Sequence, residues 1–160
     1  MQWKTFVFAF LAALAGASAY HFINNKDNVD FETLDGSAYQ WQQLQGQWVV
    51  VNYFAEWCAP CLKEVPELNE FNEYSKTNDN VSLFAVSFDQ VSDSELRRIK
   101  TQYEMEFPLI KTGAVNMPMQ RPDSLPATYL IRPDGTVARH LLGEQSAQKL
   151  IQALALLEGS

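Results

Sequence analysis

The chain has two cysteines, Cys58 and Cys61, which stand two residues apart in the stretch EWCAPCLKE. Trp57 precedes the pair, and Ala59 and Pro60 separate its members. A chain of 160 residues can bury its own core, and a bridge that closes so small a loop removes little entropy from the unfolded chain. We therefore expect the pair to do chemistry, and its C-x-x-C spacing favours thiol-disulfide exchange.

The elements around the motif predict where the two sulfurs lie. Residues 48–54, WVVVNYF, form an apolar and β-branched run typical of a buried strand, and apolar residues recur at helical spacing from Leu62. Cys58 would then cap a helix, where unpaired amides and the helix dipole favour a thiolate. This predicts Cys58 as the nucleophile and Cys61 as the resolving thiol, in a first turn that Pro60 makes rigid.

Periodicity and turn signals predict the other elements. They are an N-terminal hairpin from Phe31 to Gly46, a strand over 81–88, a helix capped by Ser92, strands over 127–132 and 136–142 around a Pro-Asp-Gly turn, and a last helix capped by Ser146. The first strand, helix and second strand form a βαβ unit with a parallel sheet, and the late hairpin is antiparallel.

The N-terminus predicts export. Lys4 precedes an uncharged apolar run that ends in Ala17-Ser18-Ala19, so we expect a signal peptide over 1–19, a tether over 20–30 and one domain over 31–158. An uncleaved membrane anchor is the alternative, because residues 5–23 carry no charge. Either arrangement places the domain in the periplasm or another oxidising extracytoplasmic compartment, where the thiols need a source of electrons.

Charge and ligand spacing argue against several other classes of site. With 12 cations against 19 acids, the formal charge is −7, so nucleic acid is not an expected partner. A zinc site would need four ligands, and His21 and His140 have no ligand spacing. Covalent haem attachment would need histidine in place of Leu62. Met117 and Met119 are too few for copper and should pack a loop. We expect a monomer without metal or cofactor.

The run VVNYFAEWCAPCLKEVPEL, residues 50–68, resembles the active-site segment of thioredoxin-fold proteins. It is most similar to the extracytoplasmic TlpA/ResA-like thiol-disulfide oxidoreductases, which include the cytochrome c maturation reductases. The resemblance covers roughly residues 31–157 and also rests on Pro66, on Leu125-Pro126-Ala127-Thr128 and on the Pro-Asp-Gly hairpin. It implies an α/β thioredoxin fold, with a central mixed sheet flanked by helices and here an N-terminal β-hairpin extension.

The resemblance also implies a docking surface for substrate. Pro126 would be a cis proline opposite the disulfide, and Leu125 would present backbone groups to an extended client segment. Trp57 and Pro60 would complete this surface. Without the resemblance, Pro126 would be interpreted as an ordinary turn proline.

Two polar positions separate subfamilies. Asn52 occupies the place where cytoplasmic thioredoxins carry a buried aspartate, and an amide cannot take up a proton. Glu64 matches an acidic residue of the TlpA/ResA-like group, one helical turn beyond Cys61, and would act as its acid or base or raise its pKa. The alternative is that Glu64 is a helix-surface acid like Glu67, Glu70 and Glu73. Residues 111–124 depart from the group because they lack a helical period, and we expect them to border the site.

We expect a reductase of disulfides in secreted or membrane-attached client proteins, apocytochrome c among them, recharged by a membrane thiol reductant. The Ala-Pro pair lacks the histidine that could stabilise a thiolate in strong oxidants, which favours a more reducing protein. Two alternatives remain. One is a peroxiredoxin-like thiol peroxidase, although Ala55 stands where that chemistry needs threonine or serine. The other is a non-catalytic thioredoxin-fold binding module whose disulfide is structural.

Overall fold

A computed structural model describes residues 29–113 and 115–159. The expected signal peptide over 1–19 and most of the expected tether over 20–30 lie outside these described residues. Within the described ranges, no helix combines the length and the apolar character that crossing a membrane requires.

The structure consists of seven strands and four helices in its described residues, with one 3₁₀ turn at Trp41–Leu44. The strands are β1 (Phe31–Glu32), β2 (Ala38–Tyr39), β3 (Trp48–Phe54), β4 (Val81–Ser87), β5 (Leu109–Ile110), β6 (Ala127–Ile131) and β7 (Val137–Leu142). The helices are α1 (Ala59–Lys63), α2 (Val65–Lys76), α3 (Asp93–Gln102) and α4 (Ala147–Glu158).

The central sheet has the order β5-β4-β3-β6-β7. Strands β3, β4 and β5 run parallel, whereas β6 is antiparallel to β3 and β7 is antiparallel to β6. All seven residues of β3 are buried, as expected for a strand covered on both faces. Strands β1 and β2 form a separate antiparallel hairpin. The predicted mixed sheet of the thioredoxin fold and its N-terminal extension are both confirmed.

Each face of the sheet carries its own apolar core. The core on the helical face contains Phe71, Leu96, Leu150 and both cysteines. The core on the opposite face is covered by the β1–β2 hairpin and by residues 115–119, and its aromatic rings include Phe31, Tyr39 and Phe84. Met117 and Met119 pack against this second core, which confirms that they serve to pack the loop.

The two predicted helix caps are confirmed. Ser92 accepts a hydrogen bond from the backbone N–H of Glu95 at 3.2 Å, and Ser146 accepts one from the N–H of Lys149 at 3.3 Å. Each hydroxyl satisfies an amide that has no partner within its own helix.

The helix predicted after the cysteines differs from the expectation because it is two helices. α1 ends at Lys63 and α2 begins at Val65, with Glu64 between them. Pro66 has no backbone N–H and cannot donate to the carbonyl four residues earlier, so a continuous helix is interrupted at this point. Glu64 is therefore both the C-cap of α1 and the N-cap of α2.

Candidate active site

Cys58 and Cys61 lie where the buried strand β3 passes into α1. Cys58 is the N-cap of α1, and its Sγ accepts a hydrogen bond from the backbone N–H of Cys61 at 3.3 Å. The two residues form a disulfide, with their Cα atoms 5.3 Å apart. Cys58 is 4% exposed and Cys61 1% exposed, so the accessible surface of the pair lies mainly on the first cysteine. The predicted placement at the helix N-terminus is confirmed.

The turn that precedes Cys58 is tied to the segment that follows β4. The Trp57 indole N–H donates to Asp89 Oδ2 at 2.6 Å, although the Trp57 side chain remains 66% exposed. The Arg98 guanidinium on α3 donates to both carboxylate oxygens of Glu56, at 2.8 and 2.7 Å. The turn that contains Trp57 and leads into Cys58 is therefore fixed by contacts with Asp89 and with Arg98 on α3.

Glu64 is buried beneath the motif, with 1% of its surface exposed. Its Oε1 accepts from the Asn52 amide at 2.8 Å, and its Oε2 accepts from the backbone N–H of Gln145 at 2.9 Å. Burial raises the pKa of Glu64 to about 7, against the opposing effect of these two hydrogen bonds. The surface-acid alternative is thus wrong for Glu64, because Glu70 and Glu73 are exposed whereas Glu64 is enclosed.

Asn52 connects Glu64 to the strand that carries the cis proline. Its Nδ2 donates to Glu64 Oε1 and also to Thr128 Oγ1 at 3.1 Å, and both partners are buried. Asn52 Oδ1 is buried and has no hydrogen-bond partner among the described residues. The sequence analysis named Asn52 and Glu64 separately, and it named Thr128 only as part of the Leu125–Thr128 segment; it predicted no contact between these three residues.

The residues between β7 and α4, together with the first residue of α4, contact Glu64 and the helices on either side of it. In addition to Gln145, the backbone N–H of Ala147 donates to Glu67 Oε2 at 3.1 Å, and Lys63 forms an ion pair with Glu144 at 2.8 Å. These three polar contacts, made by Glu144, Gln145 and Ala147, therefore fix α1, Glu64 and α2 to the C-terminal part of the chain.

The peptide bond between Leu125 and Pro126 is cis, as predicted. It directly precedes β6, whose first residue, Ala127, pairs with Tyr53 near the end of β3. The Pro126 carbonyl accepts from the N–H of Gly143 at 2.9 Å. Leu125 is partly buried and packs against both cores.

Arg121, which lies between β5 and β6, contacts Phe88, and Phe88 contacts Trp57 beside the cysteines. The Arg121 guanidinium lies 3.5 Å from the centroid of the Phe88 ring and donates to the Phe88 carbonyl at 2.8 Å. Phe88 in turn makes an edge-to-face contact with Trp57, with centroids 6.2 Å apart. The expectation that residues 111–124 border the site is confirmed, whereas Arg121 and Phe88 were not identified from the sequence.

The described residues contain no group of three or more histidine, cysteine, aspartate or glutamate side chains that could hold a metal ion. His140 stacks on the Tyr129 ring with centroids 4.2 Å apart, and His21 lies outside the described residues.

Comparisons with known proteins identify a family, two similar proteins and a solved structure of the same fold. A model of the AhpC/TSA family matches residues 23–140. The chain is 32% identical over 119 residues to the thiol-disulfide oxidoreductase ResA of Bacillus thuringiensis (strain Al Hakam), covering 73% of this chain and 67% of that protein. It is 30% identical over 129 residues to the thioredoxin-like protein YneN of Bacillus subtilis (strain 168), covering 78% and 74%. It is also similar to the crystal structure of StoA from Bacillus subtilis, with a TM-score of 0.65 and 21% identity over 76% of this chain and 92% of that one.

Proposed function

The chain belongs to the AhpC/TSA family and is a thiol-disulfide oxidoreductase, and from this we propose that it reduces disulfides of extracytoplasmic client proteins through Cys58 and Cys61. The resemblance to the TlpA/ResA-like group is confirmed by the match to ResA. One observation carries the proposal further: the sulfur of Cys58 lies at the N-cap of α1, where it already accepts an amide hydrogen bond. Amide donors and the helix dipole stabilise a thiolate at this position.

The reaction proceeds by two exchanges. In the reduced protein, the Cys58 thiolate attacks one sulfur of the client disulfide, forms a mixed disulfide and releases the other client sulfur as a thiolate that takes up a proton. The Cys61 thiolate then attacks the Cys58 sulfur, restores the disulfide seen in the structure and releases the second client thiol. The client gains two electrons and the cysteine pair loses two, which a membrane thiol reductant returns.

Glu64 acts in this scheme as the acid or base for Cys61. Its pKa of about 7 lets the carboxylate take the proton of the Cys61 thiol and return it near neutral pH. Glu64 lies between α1 and α2 with its side chain buried, one helical turn beyond Cys61.

Client binding uses Trp57, Pro60, Leu125 and Pro126. The exposed Trp57 offers a large apolar surface beside the disulfide, and the backbone at Leu125 offers hydrogen-bonding groups to an extended segment. We further propose that the chain is a monomer that is either secreted by means of a cleaved signal peptide or held outside the cytoplasm by an N-terminal membrane anchor, and that apocytochrome c is one of its clients.

An insulin-reduction assay tests this function. Cys58→Ser should abolish turnover, because the substitution removes the attacking thiolate. Equal turnover in the wild type and in Cys58→Ser would refute the proposal. A Cys61→Ala variant should accumulate mixed disulfides with clients, since nothing resolves them. Rapid consumption of hydrogen peroxide together with no insulin reduction would favour the peroxidase alternative, which the hydroxyl-free and buried Ala55 does not support.

A further inference from the structure

A cavity of about 210 Å³ opens beside the cysteine motif at the carboxyl ends of β3 and β4. Tyr53, Phe88 and Thr112 line it, and Met117 and Arg121 close it from the 111–124 segment. Phe88 lines this cavity and also contacts the Trp57 ring. We propose that this cavity binds the carboxylate of an acidic client side chain, a few residues from the client cysteine. The inference rests on the proposed reduction of client disulfides.

Tyr53 supplies a hydrogen-bond donor to the cavity. Its side chain is 5% exposed, yet its hydroxyl has no hydrogen-bond partner among the described residues. The neighbouring Tyr129, whose ring contacts that of Tyr53, donates its hydroxyl to the carbonyl of Gln120 at 3.0 Å. The hydroxyl is not among the enclosed polar atoms that lack a partner, so it opens to the cavity and can donate a hydrogen bond to an acceptor that enters it.

Arg121 supplies a positive charge at the same place. Its guanidinium stacks on Phe88 and makes one hydrogen bond there, and it forms no ion pair with any described carboxylate. A guanidinium has five N–H donors in a planar fork, so the stacked group retains donors for a bidentate carboxylate. Tyr53 and Arg121 both line the cavity, and the positive charge of Arg121 opposes the rise in the pKa of Tyr53 that burial causes.

The lining also contains one acidic residue, Asp89. Its carboxylate keeps its negative charge and accepts the indole N–H of Trp57 at 2.6 Å, and it forms no ion pair with Arg121, so the guanidinium donors of Arg121 are not taken up by it. The remaining cavity combines a hydroxyl donor with a guanidinium, and two donors of which one is charged select an anionic acceptor.

The size and position of the cavity suit a side chain of the client. Pockets for drug-sized ligands measure about 300 to 1,000 Å³, so this smaller volume fits one side chain better than a separate cofactor. Phe88, which lines the cavity, contacts Trp57, the residue directly before Cys58. We therefore place the acid close in sequence to the client cysteine and test a spacing of two residues.

Two synthetic peptide disulfides test the inference. They are identical except for Glu or Gln two residues from the cysteine, and the rate at which each oxidises the reduced protein is measured. The wild type should prefer the Glu peptide by about tenfold, which corresponds to about 1.4 kcal/mol. Added salt should reduce the preference.

Substitutions of residues in the cavity then test whether the preference for the Glu peptide depends on the cavity. Arg121→Gln should bring the Glu-to-Gln rate ratio close to one, Arg121→Lys should keep part of it, and Tyr53→Phe should lower it about threefold. Arg139→Gln is the matched control, since Arg139 is exposed on β7, and it should leave the ratio unchanged. The ratio is measured within each variant, so a general loss of folded protein does not affect it.

Three outcomes would overturn the inference. The wild type could fail to prefer the Glu peptide, Arg121→Gln could slow both peptides equally, or Tyr53→Phe and Arg121→Gln could both retain the full ratio. In each of these cases the reduced protein still reacts, and the proposed reductase function stands. If the wild type reacts with neither peptide nor with the neutral bis(2-hydroxyethyl) disulfide, the proposed function itself fails and the inference fails with it.

Discussion

The protonation of Glu64 depends on the residues that surround it. Two hydrogen bonds, from Asn52 and from the backbone of Gln145, stabilise its charged form, and burial opposes them. Burial is the larger effect, because the pKa of Glu64 rises from 4.5 to about 7. A carboxyl with this pKa changes its charge over the pH range in which thiol exchange operates.

The raised pKa predicts a pH-dependent loss of stability. Between pH 4.5 and 7 the folded protein retains a proton on Glu64 that the unfolded chain has released, so stability falls as pH rises through this window. A shift of this size corresponds to about 3 kcal/mol. Urea unfolding of the wild type and Glu64→Gln at pH 4.5 and pH 8 measures it, and the variant should lose less stability between the two.

The matched control for this experiment is Glu70→Gln, which changes an exposed acid on α2, the helix that Glu64 precedes. Its stability should follow the wild type at both pH values. Parallel curves for the wild type and Glu64→Gln would show that the carboxyl of Glu64 does not titrate in this window.

At the scale of elements, α3 and the segment after β4 hold the turn that carries Cys58. The Arg98 guanidinium on α3 donates to both carboxylate oxygens of Glu56 and also forms an ion pair with Glu95 at 2.7 Å. Glu56 lies two residues before Cys58, so its negative charge would oppose the formation of a thiolate there. Arg98 offsets that charge.

We expect Arg98→Gln to raise the pKa of Cys58 in the reduced protein, because it leaves the Glu56 carboxylate without its cation. The shift should be smaller than about one unit, since the pair is exposed and screened by solvent. Thiolate absorbance during a pH titration measures it. The double variant Glu56→Gln with Arg98→Gln should return the pKa to the wild-type value. An unchanged or lower pKa in Arg98→Gln would exclude this role.

Sequence patterns predicted the elements better than the contacts between them. The run at 48–54, the caps at Ser92 and Ser146 and the resemblance at Pro126 each depend on a few neighbouring residues, and the structure contains all four features. The Asn52 contacts with Glu64 and Thr128 join residues 12 and 76 positions apart. They depend on strand register and on the break between two helices, which local periodicity does not specify.

The stacking of Arg121 on Phe88 escaped prediction for the same reason. The two residues are 33 positions apart, and segment 111–124 has neither a helical nor a strand period. Its position is set by Met117 and Met119, which pack on the core beneath the N-terminal hairpin, and by the hydrogen bond from the Trp41 indole to the carbonyl of Asn116 at 2.6 Å.

At the scale of the whole molecule, the disulfide adds little to a fold that has a core on each face of its sheet. The helical-face core includes side chains that are fully buried at positions far from the motif, such as Phe71 and Leu150. Both cores are built from elements that the disulfide does not join, because it links residues within one turn. The fold that positions the active site therefore does not depend on the disulfide.

We expect reduction of the disulfide to leave the protein folded. Closing a loop of so few residues lowers the entropy of the unfolded chain by an amount equal to about 2 kcal/mol at most. Stabilisation of the Cys58 thiolate at the helix N-terminus favours the folded reduced protein and should make the measured difference smaller still. Urea unfolding with and without a dithiol reductant measures this difference. Cooperative unfolding on reduction alone would mean that the disulfide is structural, which is what the non-catalytic binding module requires and the proposed exchange mechanism does not allow.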